Sequence, residues 1–459
     1  MFRVQLGKSG SYCDGMSRRH FVQLGMAGMG SAGLADILRA KESSQAAGKP
    51  KKDTSVILIW LDGGPSHLDL YDMKPDAPSE TRGIWSPIST NVPGFDITEM
   101  FPKQAKVADK FSVIRSLYHN TGDHFTGGHF MLTGRGGVSG ADNHGRFPFV
   151  GSIATKLTGP RRTGMPANVA IPYAMSIGLR PGYFGGNYIG AENNPFETEG
   201  DPNAATFKVK NLSQIKDLSI DRLNDRQTML KDLDTLRRNF DQIETGGALD
   251  RFQVQAFDMA TNPAAIKAFD IASEDPAVRD SYGRHPWGQS TLLARRLVEA
   301  GTTWVSVHLG GWDHHWDLEK GMNRYLPQVD DLVSGLFADL HQRGLQDKVL
   351  VVLCGEFSRT PKMNNGGNGG PPGSMGTPGR DHWGNSMFTL VGGGGIKGGR
   401  IVGSTTRLGD APKDRPLTPS DLHTTIYHVL GVDPQVHFPD RAGRPTPAID
   451  QGEVIRELL

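Results

Sequence analysis

Five short, largely apolar segments along the chain predict the strands of a buried sheet. They lie at residues 55–61, 111–117, 302–309, 348–354 and 387–393. The first is a continuous apolar and β-branched run. That pattern is typical of a strand covered on both faces, as in a parallel sheet, whereas a half-exposed strand alternates.

Segments with apolar residues at helical spacing separate several of these strands. They lie at residues 213–240, 288–301 and 326–345, and the last two reach a glycine near their ends, directly before a predicted strand. Such alternation implies right-handed crossovers and a mostly parallel sheet with helices on both faces. The region from about 151 to 280 is less regular, which predicts an insertion or cap.

Composition limits the function classes. The chain has 459 residues, of which 37% are hydrophobic and 22% charged, enough for a large soluble core. A formal net charge of +1 argues against nucleic acid or an anionic membrane as the main partner. The two cysteines are Cys13 and Cys354. Cys13 lies in a segment that we expect to be removed, so no internal disulfide is expected.

The first residues resemble a twin-arginine export signal. Residues 17–23 read SRRHFVQ, and a weakly apolar, glycine-rich run follows to Ala40. This run is too short and too rich in glycine for a stable membrane anchor, although an amphipathic helix is the alternative. We expect cleavage near Ala47, or at Ala40. The chain then divides into a signal peptide and spacer (1–47) and a single exported domain (48–459), destined for the periplasm or the exterior.

Acids and histidines follow the predicted strands. Asp62, Asp313 and Glu356 stand at or shortly after three strand ends, with His315 beside Asp313 and His382 in a later loop. The carboxyl ends of neighbouring parallel strands meet at one rim of a sheet, so these groups are expected to converge. Clustered carboxylates repel one another unless a cation neutralises them. The mixed set suits Zn²⁺, Mn²⁺ or Fe, as one ion or two.

Each of these residues also has a simpler explanation. Asp62 precedes a Gly-Gly-Pro turn and could accept backbone hydrogen bonds there. Asp313 and His315 could be a solvated loop pair, and Glu356 could pair only with Arg359. The joint pattern favours a metal site.

Several motifs in fixed order resemble a known family. They are LDGGPSHLDLYDMKP, GGWDHHWD, GEFSRTPKMN, GRDHWGN and GGGGIKGGRIVG. Together they resemble the bacterial family called domain of unknown function 1501, which is grouped with the alkaline phosphatase and sulfatase superfamily. The resemblance covers nearly the whole mature chain. It implies an α/β, alkaline phosphatase-like three-layer fold, with a mostly parallel central sheet and helices on both faces.

The resemblance also implies metal ligands, which are Asp62, Asp313, His315, Glu356 and His382. Its Asp-x-His spacing favours His315 over His314. Phe357 stands where the superfamily usually has a histidine ligand, so one metal site looks nearly complete and the second depleted. The implied cofactor is one or two divalent ions, drawn from Zn²⁺, Mn²⁺, Ca²⁺ and Mg²⁺.

The catalytic groups are predicted around residues 123–135, which resemble a sulfatase segment. His124 stands where the sulfatase nucleophile is expected, and the absence of a cysteine there excludes formylglycine chemistry. Thr126 is a candidate substitute, and His124 or His129 a candidate general acid, although each histidine taken singly is more often structural. Arg359 is a candidate clamp for a tetrahedral oxyanion. A cation that lowers the pKa of water would remove the need for a protein nucleophile.

These inferences lead to three hypotheses. The first is an exported, metal-dependent hydrolase of phosphate or sulfate esters, carried by the twin-arginine machinery and acting on a small-molecule or glycan ester. The second is a degenerate member that binds sulfated or phosphorylated glycans without turnover, since fold does not determine function. The third is a phosphomutase-like isomerase, disfavoured by export and by the lack of a phosphorylatable serine at the expected place.

Overall fold

An eight-stranded sheet lies at the centre of the protein. The computed structural model describes residues 53–136, 146–209, 258–366 and 377–459. The strands are β1 (Ser55–Asp62), β2 (Phe111–Leu117), β3 (Asn168–Ile171), β4 (Phe196–Glu197), β5 (Trp304–Gly310), β6 (Val349–Cys354), β7 (Met387–Gly393) and β8 (Ile401–Val402). Their order across the sheet is β8-β2-β7-β6-β1-β5-β3-β4.

Most of the strand pairs are parallel. β1 runs parallel to both β5 and β6, and the parallel pairing continues through β3 to β4. β7 is antiparallel to β6 and β2, while β8 is parallel to β2. All eight residues of β1 are buried, because it lies at the middle of the sheet with helices above and below. The predicted mostly parallel sheet is confirmed.

Seven helices accompany the sheet among the described residues. They are α1 (His124–Thr133), α2 (Val150–Thr158), α3 (Pro263–Phe269), α4 (Pro276–Ser281), α5 (Pro286–Ala300), α6 (Leu318–Gln342) and α7 (Pro419–Leu430). Alternate residues of β1 divide them into two layers. Ile57 and Ile59 pack in the core formed with α3, α5 and α6. Leu58 and Trp60 pack in the core formed with α1, α2 and α7.

Four small two-stranded pairs lie outside the central sheet. They join Pro87–Ser89 to Asp96–Thr98, Ser358–Arg359 to His382–Trp383, Ser404–Thr405 to Pro412–Asp414, and His437–Pro439 to Pro445–Pro447. The second pair matters most for the site, because it connects the loop after β6 to the segment that carries His382.

Helix α6 begins eight residues earlier than the predicted segment at 326–345. Leu318, Met322, Leu326 and Val329 are all buried, at spacings of four, four and three residues. This is the repeat of one helix face. The charged and glycine-containing sequence between these residues hid the repeat from the sequence pattern.

The region 151–280 differs from the irregular insertion that we expected. It supplies β3 and β4 of the central sheet, which are only four and two residues long and therefore leave little periodic signal. The predicted helix at 213–240 and the export signal at 17–40 lie outside the described residues. Within the ranges that the structure describes, no helix has the length and apolarity needed to cross a membrane.

Candidate metal centre

The loops that follow β1, β5 and β6 meet at one rim of the sheet. Their strands are adjacent and parallel, so their carboxyl ends lie side by side. Two hydrogen bonds join the loops: the Gly63 amide donates to the Glu356 side chain at Oε1 (2.9 Å), and the Trp312 amide donates to the Asp62 carbonyl (3.1 Å). A Cβ on Gly63 would lie 2.6 Å from the backbone nitrogen of Asp313, so this approach requires glycine.

Three predicted ligands converge on one point. Asp313 Oδ1 lies 3.1 Å from His315 Nε2 and 3.1 Å from His382 Nε2, and the two Nε2 atoms are 2.9 Å apart. Adjacent ligands at right angles around an ion with bonds of about 2.1 Å are separated by about 3 Å. The three atoms therefore have the spacing of one face of a coordination shell.

Both histidines are oriented through their other ring nitrogen. His315 Nδ1 donates to Asp381 Oδ1 (2.7 Å), and His382 Nδ1 donates to the Gly122 carbonyl (2.7 Å). In the neutral tautomer, each Nε2 then presents a lone pair toward Asp313. Without an ion, a protonated ring donates from Nε2 to Asp313; with both rings neutral, the two lone pairs and the carboxylate form the ligand set of a cation, and such Nδ1 partners are characteristic of metal-binding histidines. The residues present fit a divalent metal.

His124, the first residue of α1, joins two acids at the centre. Its Nδ1 lies 2.7 Å from Glu356 Oε1, and its Nε2 lies 3.3 Å from Asp313 Oδ2. Burial disfavours the charged ring, but the hydrogen bonds with Asp313 and Glu356 outweigh it and raise the pKa of His124 to about 9. His124, Asp313 and His382 offer ligand atoms within 4.8 Å of one another.

The pKa values of the two acids are shifted in opposite directions, that of Asp313 downward and that of Glu356 upward. Burial opposes ionisation of Asp313, but hydrogen bonds from His124, His315 and His382 hold its pKa well below the usual range. Glu356 is completely buried, and this burial raises its pKa. Its Oε2 has no hydrogen-bond partner among the described residues. Glu356, a predicted ligand, therefore lies beside the converging atoms and contacts Asp313 only through the His124 ring.

Arg359, the predicted substrate clamp, makes several hydrogen bonds within the protein. It is completely buried, and its guanidinium donates to Asp313 Oδ1 (2.7 Å), to the Gly64 carbonyl (2.7 Å) and to the Gly63 carbonyl. Its remaining amino group donates to the Arg380 carbonyl (3.2 Å). These contacts hold Asp313 and the adjacent loops in place, and whether Arg359 also contacts an oxyanion stays a prediction.

Asp62 does not join the converging atoms either. Its Oδ2 accepts from the Ile177 amide (2.7 Å) and lies 3.0 Å from His308 Nε2, while its Oδ1 accepts from the Ser176 hydroxyl (3.0 Å) and the Trp60 ring nitrogen (3.2 Å). Burial opposes ionisation, but the His308 contact helps to lower the pKa of Asp62. The carboxylate thus anchors a neighbouring loop, and the prediction that it binds the metal is not supported.

The side chains of Thr126 and His129 also make their hydrogen bonds away from the converging ligand atoms. The Thr126 hydroxyl and amide both donate to Asp123 Oδ1 at 2.8 Å, which caps the start of α1. His129 is buried, with Nδ1 2.8 Å from the Arg135 carbonyl and Nε2 accepting from the Arg146 amide (3.3 Å). These contacts give structural roles to both residues, in place of the predicted nucleophile and general acid.

His314 and His315 point to different surroundings. His315 faces Asp313, whereas the His314 ring packs against Tyr325 at 5.8 Å between ring centroids, and burial lowers the pKa of His314 to about 4. Sequence reasoning missed Asp381 and the Gly122 carbonyl, which orient the two ligand histidines. The acid directly before His382 in the GRDHWGN motif was the available signal for Asp381.

A model of the family described as "Protein of unknown function (DUF1501)" matches residues 53–459. The chain belongs to this family. No curated protein matches the sequence.

Solved structures similar to this DUF1501 protein include the PsFucS1 sulfatase from Pseudoalteromonas sp. (13% identity, 86% of this chain and 70% of that chain, TM-score 0.36). Another is a protein in the alkaline phosphatase superfamily from Vibrio parahaemolyticus (10% identity, 90% and 71%, TM-score 0.40). A third is a variant of the alkaline phosphatase of the Antarctic bacterium TAB5 with Mg bound in its M3 site (11% identity, 84% and 100%, TM-score 0.37). These values do not support an inference about activity.

Proposed function

We propose that this DUF1501 protein is a metal-dependent hydrolase of phosphate or sulfate esters. The observation that carries the proposal is the convergence of Asp313 Oδ1 with the Nε2 atoms of His315 and His382, at separations of 2.9–3.1 Å. A carboxylate and two oriented imidazoles at the carboxyl ends of parallel strands form a typical site for catalytic metal chemistry.

Asp313, His315 and His382 would hold the ion. Asp381 and the Gly122 carbonyl would keep both imidazoles in the ligating tautomer, and Arg359 would hold Asp313 in place. A bound divalent ion supplies Lewis-acid polarisation of an ester oxygen and lowers the pKa of water. Zn²⁺ and Mn²⁺ suit this mixed nitrogen and oxygen set better than Ca²⁺ or Mg²⁺.

His124 is the residue that would hold a proton beside the centre. Its Nε2 lies 3.3 Å from Asp313 Oδ2, at the edge of the centre. From this position it would act as the general acid for the leaving group, the role for which the sequence offered His124 or His129. The positive imidazolium would also favour an anionic ester in the site.

We also propose that the protein acts outside the cytoplasm. Support comes from the sequence of residues 17–23, which resembles a twin-arginine signal. The partners would be the export machinery and a small-molecule or glycan ester encountered after export.

A binding function without turnover is the second candidate, favoured by the position of Thr126. Its hydroxyl donates to Asp123 at 2.8 Å, in the cap of α1, and no contact brings it to the converging ligand atoms among the described residues. A binder would retain sulfated or phosphorylated glycans and release neither sulfate nor phosphate.

The test begins with protein purified without added metal, analysed for bound ions by mass spectrometry. The protein is then reconstituted with Zn²⁺ or Mn²⁺ and assayed with aryl phosphate and aryl sulfate esters. We expect bound metal, and ester hydrolysis that Asp313→Asn lowers by roughly 10³-fold. The matched control is Asp347→Asn, since Asp347 is an exposed acid in the segment before β6. A protein that binds no metal and cleaves none of the esters would contradict the proposal.

A further inference from the structure

The Asp313 centre offers two sides to a cation, and they differ in what fills them. Asp313 Oδ1 faces His315 and His382, where two ring nitrogens present lone pairs. Asp313 Oδ2 faces the opposite way, toward the His124 ring. Beyond that ring lies Glu356, the second acid of the centre.

The His124 ring spans the gap between the two acids. One nitrogen lies 3.3 Å from Asp313 Oδ2 and the other 2.7 Å from Glu356 Oε1. Glu356 Oε1 also accepts from the Gly63 amide at 2.9 Å. The imidazole therefore lies between the two carboxylates and takes up the space that an ion shared by both would need.

Phe357 fills the space next to the His124 ring. It is buried, with ring centroids 4.9 Å from His124 and 4.5 Å from His382. A Cβ on Gly64 would lie 2.5 Å from the Phe357 ring, and one on Gly127 would lie 3.1 Å from it. The phenyl ring is therefore closely packed on two sides, and it has no atom that could bind a metal.

Helix α1 holds His124 in this position. Asp123 caps the helix, with its Oδ1 accepting from the Thr126 amide at 2.8 Å. Gly127 lets the helix approach the loop after β6, since a Cβ there would lie 2.9 Å from the Glu356 carbonyl. The backbone of α1 is thus packed against the Glu356 backbone, which places the first residue of the helix, His124, beside both acids.

We infer that the centre takes a single ion, held by Asp313, His315 and His382, and that His124 and Phe357 occupy the place of a second. The His124 side chain then connects Asp313 and Glu356 through its two ring nitrogens. This inference rests on the proposed metal-dependent function and specifies the number of ions that such a function would use.

The direct test is the number of ions bound by the wild-type protein. Metal-free protein would be titrated with Zn²⁺ and, separately, with Mn²⁺, followed by calorimetry and by metal analysis after desalting. We expect one equivalent per chain at saturation. Two equivalents would overturn the inference and leave the metal-dependent function standing. No bound metal would overturn both.

A pair of variants tests the role of the two residues. The double variant His124→Ala, Phe357→His removes the bridge and supplies a ligand, so we expect the stoichiometry to rise from one equivalent to two. In the matched control, His124 is retained and Phe357→Leu keeps an apolar side chain, so the count should stay at one. A folded double variant that still binds one equivalent would overturn the assignment of the second position. If the double variant does not fold, the wild-type count still decides.

Discussion

The protein contains two dense clusters of charge that resemble each other in composition and differ in purpose. At one, between α5 and α6, the buried Arg295 guanidinium lies 2.6 Å from Glu274, 2.6 Å from Glu299 and 2.8 Å from Asp339. At the other, Asp313 and Glu356 meet the imidazoles of the candidate metal centre. The acids of the first cluster meet guanidinium groups, whereas those of the second meet imidazoles in addition to the guanidinium of Arg359.

The type of base decides what each cluster can bind. A guanidinium has donors only and stays charged, so the acids around Arg295 are already neutralised and none is left for a ligand. A neutral imidazole keeps one lone pair, and at the centre those lone pairs face an acid. Exposure agrees with this difference: the Arg295 side chain is 1% exposed, whereas the Asp313 side chain is 38% exposed and open to a ligand. The first cluster is structural and the second is a candidate binding site.

Removing the base of the structural cluster should have the largest effect. In Arg295→Leu, the three acids would lose their most buried partner and keep only Arg296 and Arg343, so we expect a loss of about 3 kcal/mol, the lower end of the range for breaking a buried ion pair. Chemical denaturation should show this loss in the free energy of unfolding. Metal stoichiometry of the folded fraction should not change. A loss of unfolding free energy below about 1 kcal/mol would contradict the structural role assigned to the Arg295 cluster, because an exposed ion pair contributes that much.

Asp313→Asn should have a large effect on activity and a small effect on stability. Losing the shared carboxylate should lower ester hydrolysis by roughly 10³-fold, since a catalytic metal contributes several kcal/mol to the transition state. The thermal midpoint should change much less than in Arg295→Leu. Steady-state kinetics with saturating Zn²⁺ measure the first effect, and calorimetry the second. Unchanged hydrolysis would remove Asp313 from the site.

Asp381→Asn should weaken metal binding without abolishing it. Asp381 touches the site through His315 Nδ1, and loss of such an orienting partner typically lowers metal affinity by about 10–100-fold. Competition with a chelator of known affinity measures the change. The control is Asp410→Asn, because the Asp410 side chain interacts with Thr406, outside the centre. Equal affinities in the two variants would argue against the orienting role.

The smallest expected effect is a change in the pH dependence of stability when Glu274 is replaced. Burial opposes its ionisation, but the hydrogen bond from Arg296 and the charge of Arg295 lower the pKa of Glu274 from its ordinary 4.5 to about 2. A lowered pKa in the folded state contributes stability above pH 4.5, and this contribution is lost as the pH falls toward 2. Glu274→Gln should flatten that acid dependence by roughly 1–2 kcal/mol. Urea unfolding at pH 6 and pH 3 tests it, and identical slopes in both proteins would contradict it.

Much of the fold could be predicted from the sequence because its signals are local. The apolar run of β1 and the helical pattern before β5 and β6 each extend over enough residues to be read directly. The short strands β3 and β4 could not be found, because four and two residues carry no periodicity. Their place in the sheet depends on the pairing of β3 with β5, which is distant in the chain, and on the pairing of β4 with β3.

The candidate site could be predicted only in part. Asp313, His315 and His382 converge as expected, since an acid after a strand end and the motif around it indicate the rim of the sheet. Asp62 follows the same rule and fails, because Ser176 and Ile177 take its oxygens. The position of an acid after a strand predicts where its backbone lies, but not the direction in which its carboxylate points.

The sequence by itself determined which segments form the buried sheet and which acids stand at its carboxyl rim, because both follow from hydrophobic runs and from the direction of parallel strands. Only the tertiary structure decided the partner of each acid. Asp62 meets residues 114 and 246 positions away, and His124 meets Glu356 across 232 positions. The local sequence pattern does not contain the directions of hydrogen bonds to such distant residues. These directions distinguish a side chain that can bind a metal from one that anchors a loop.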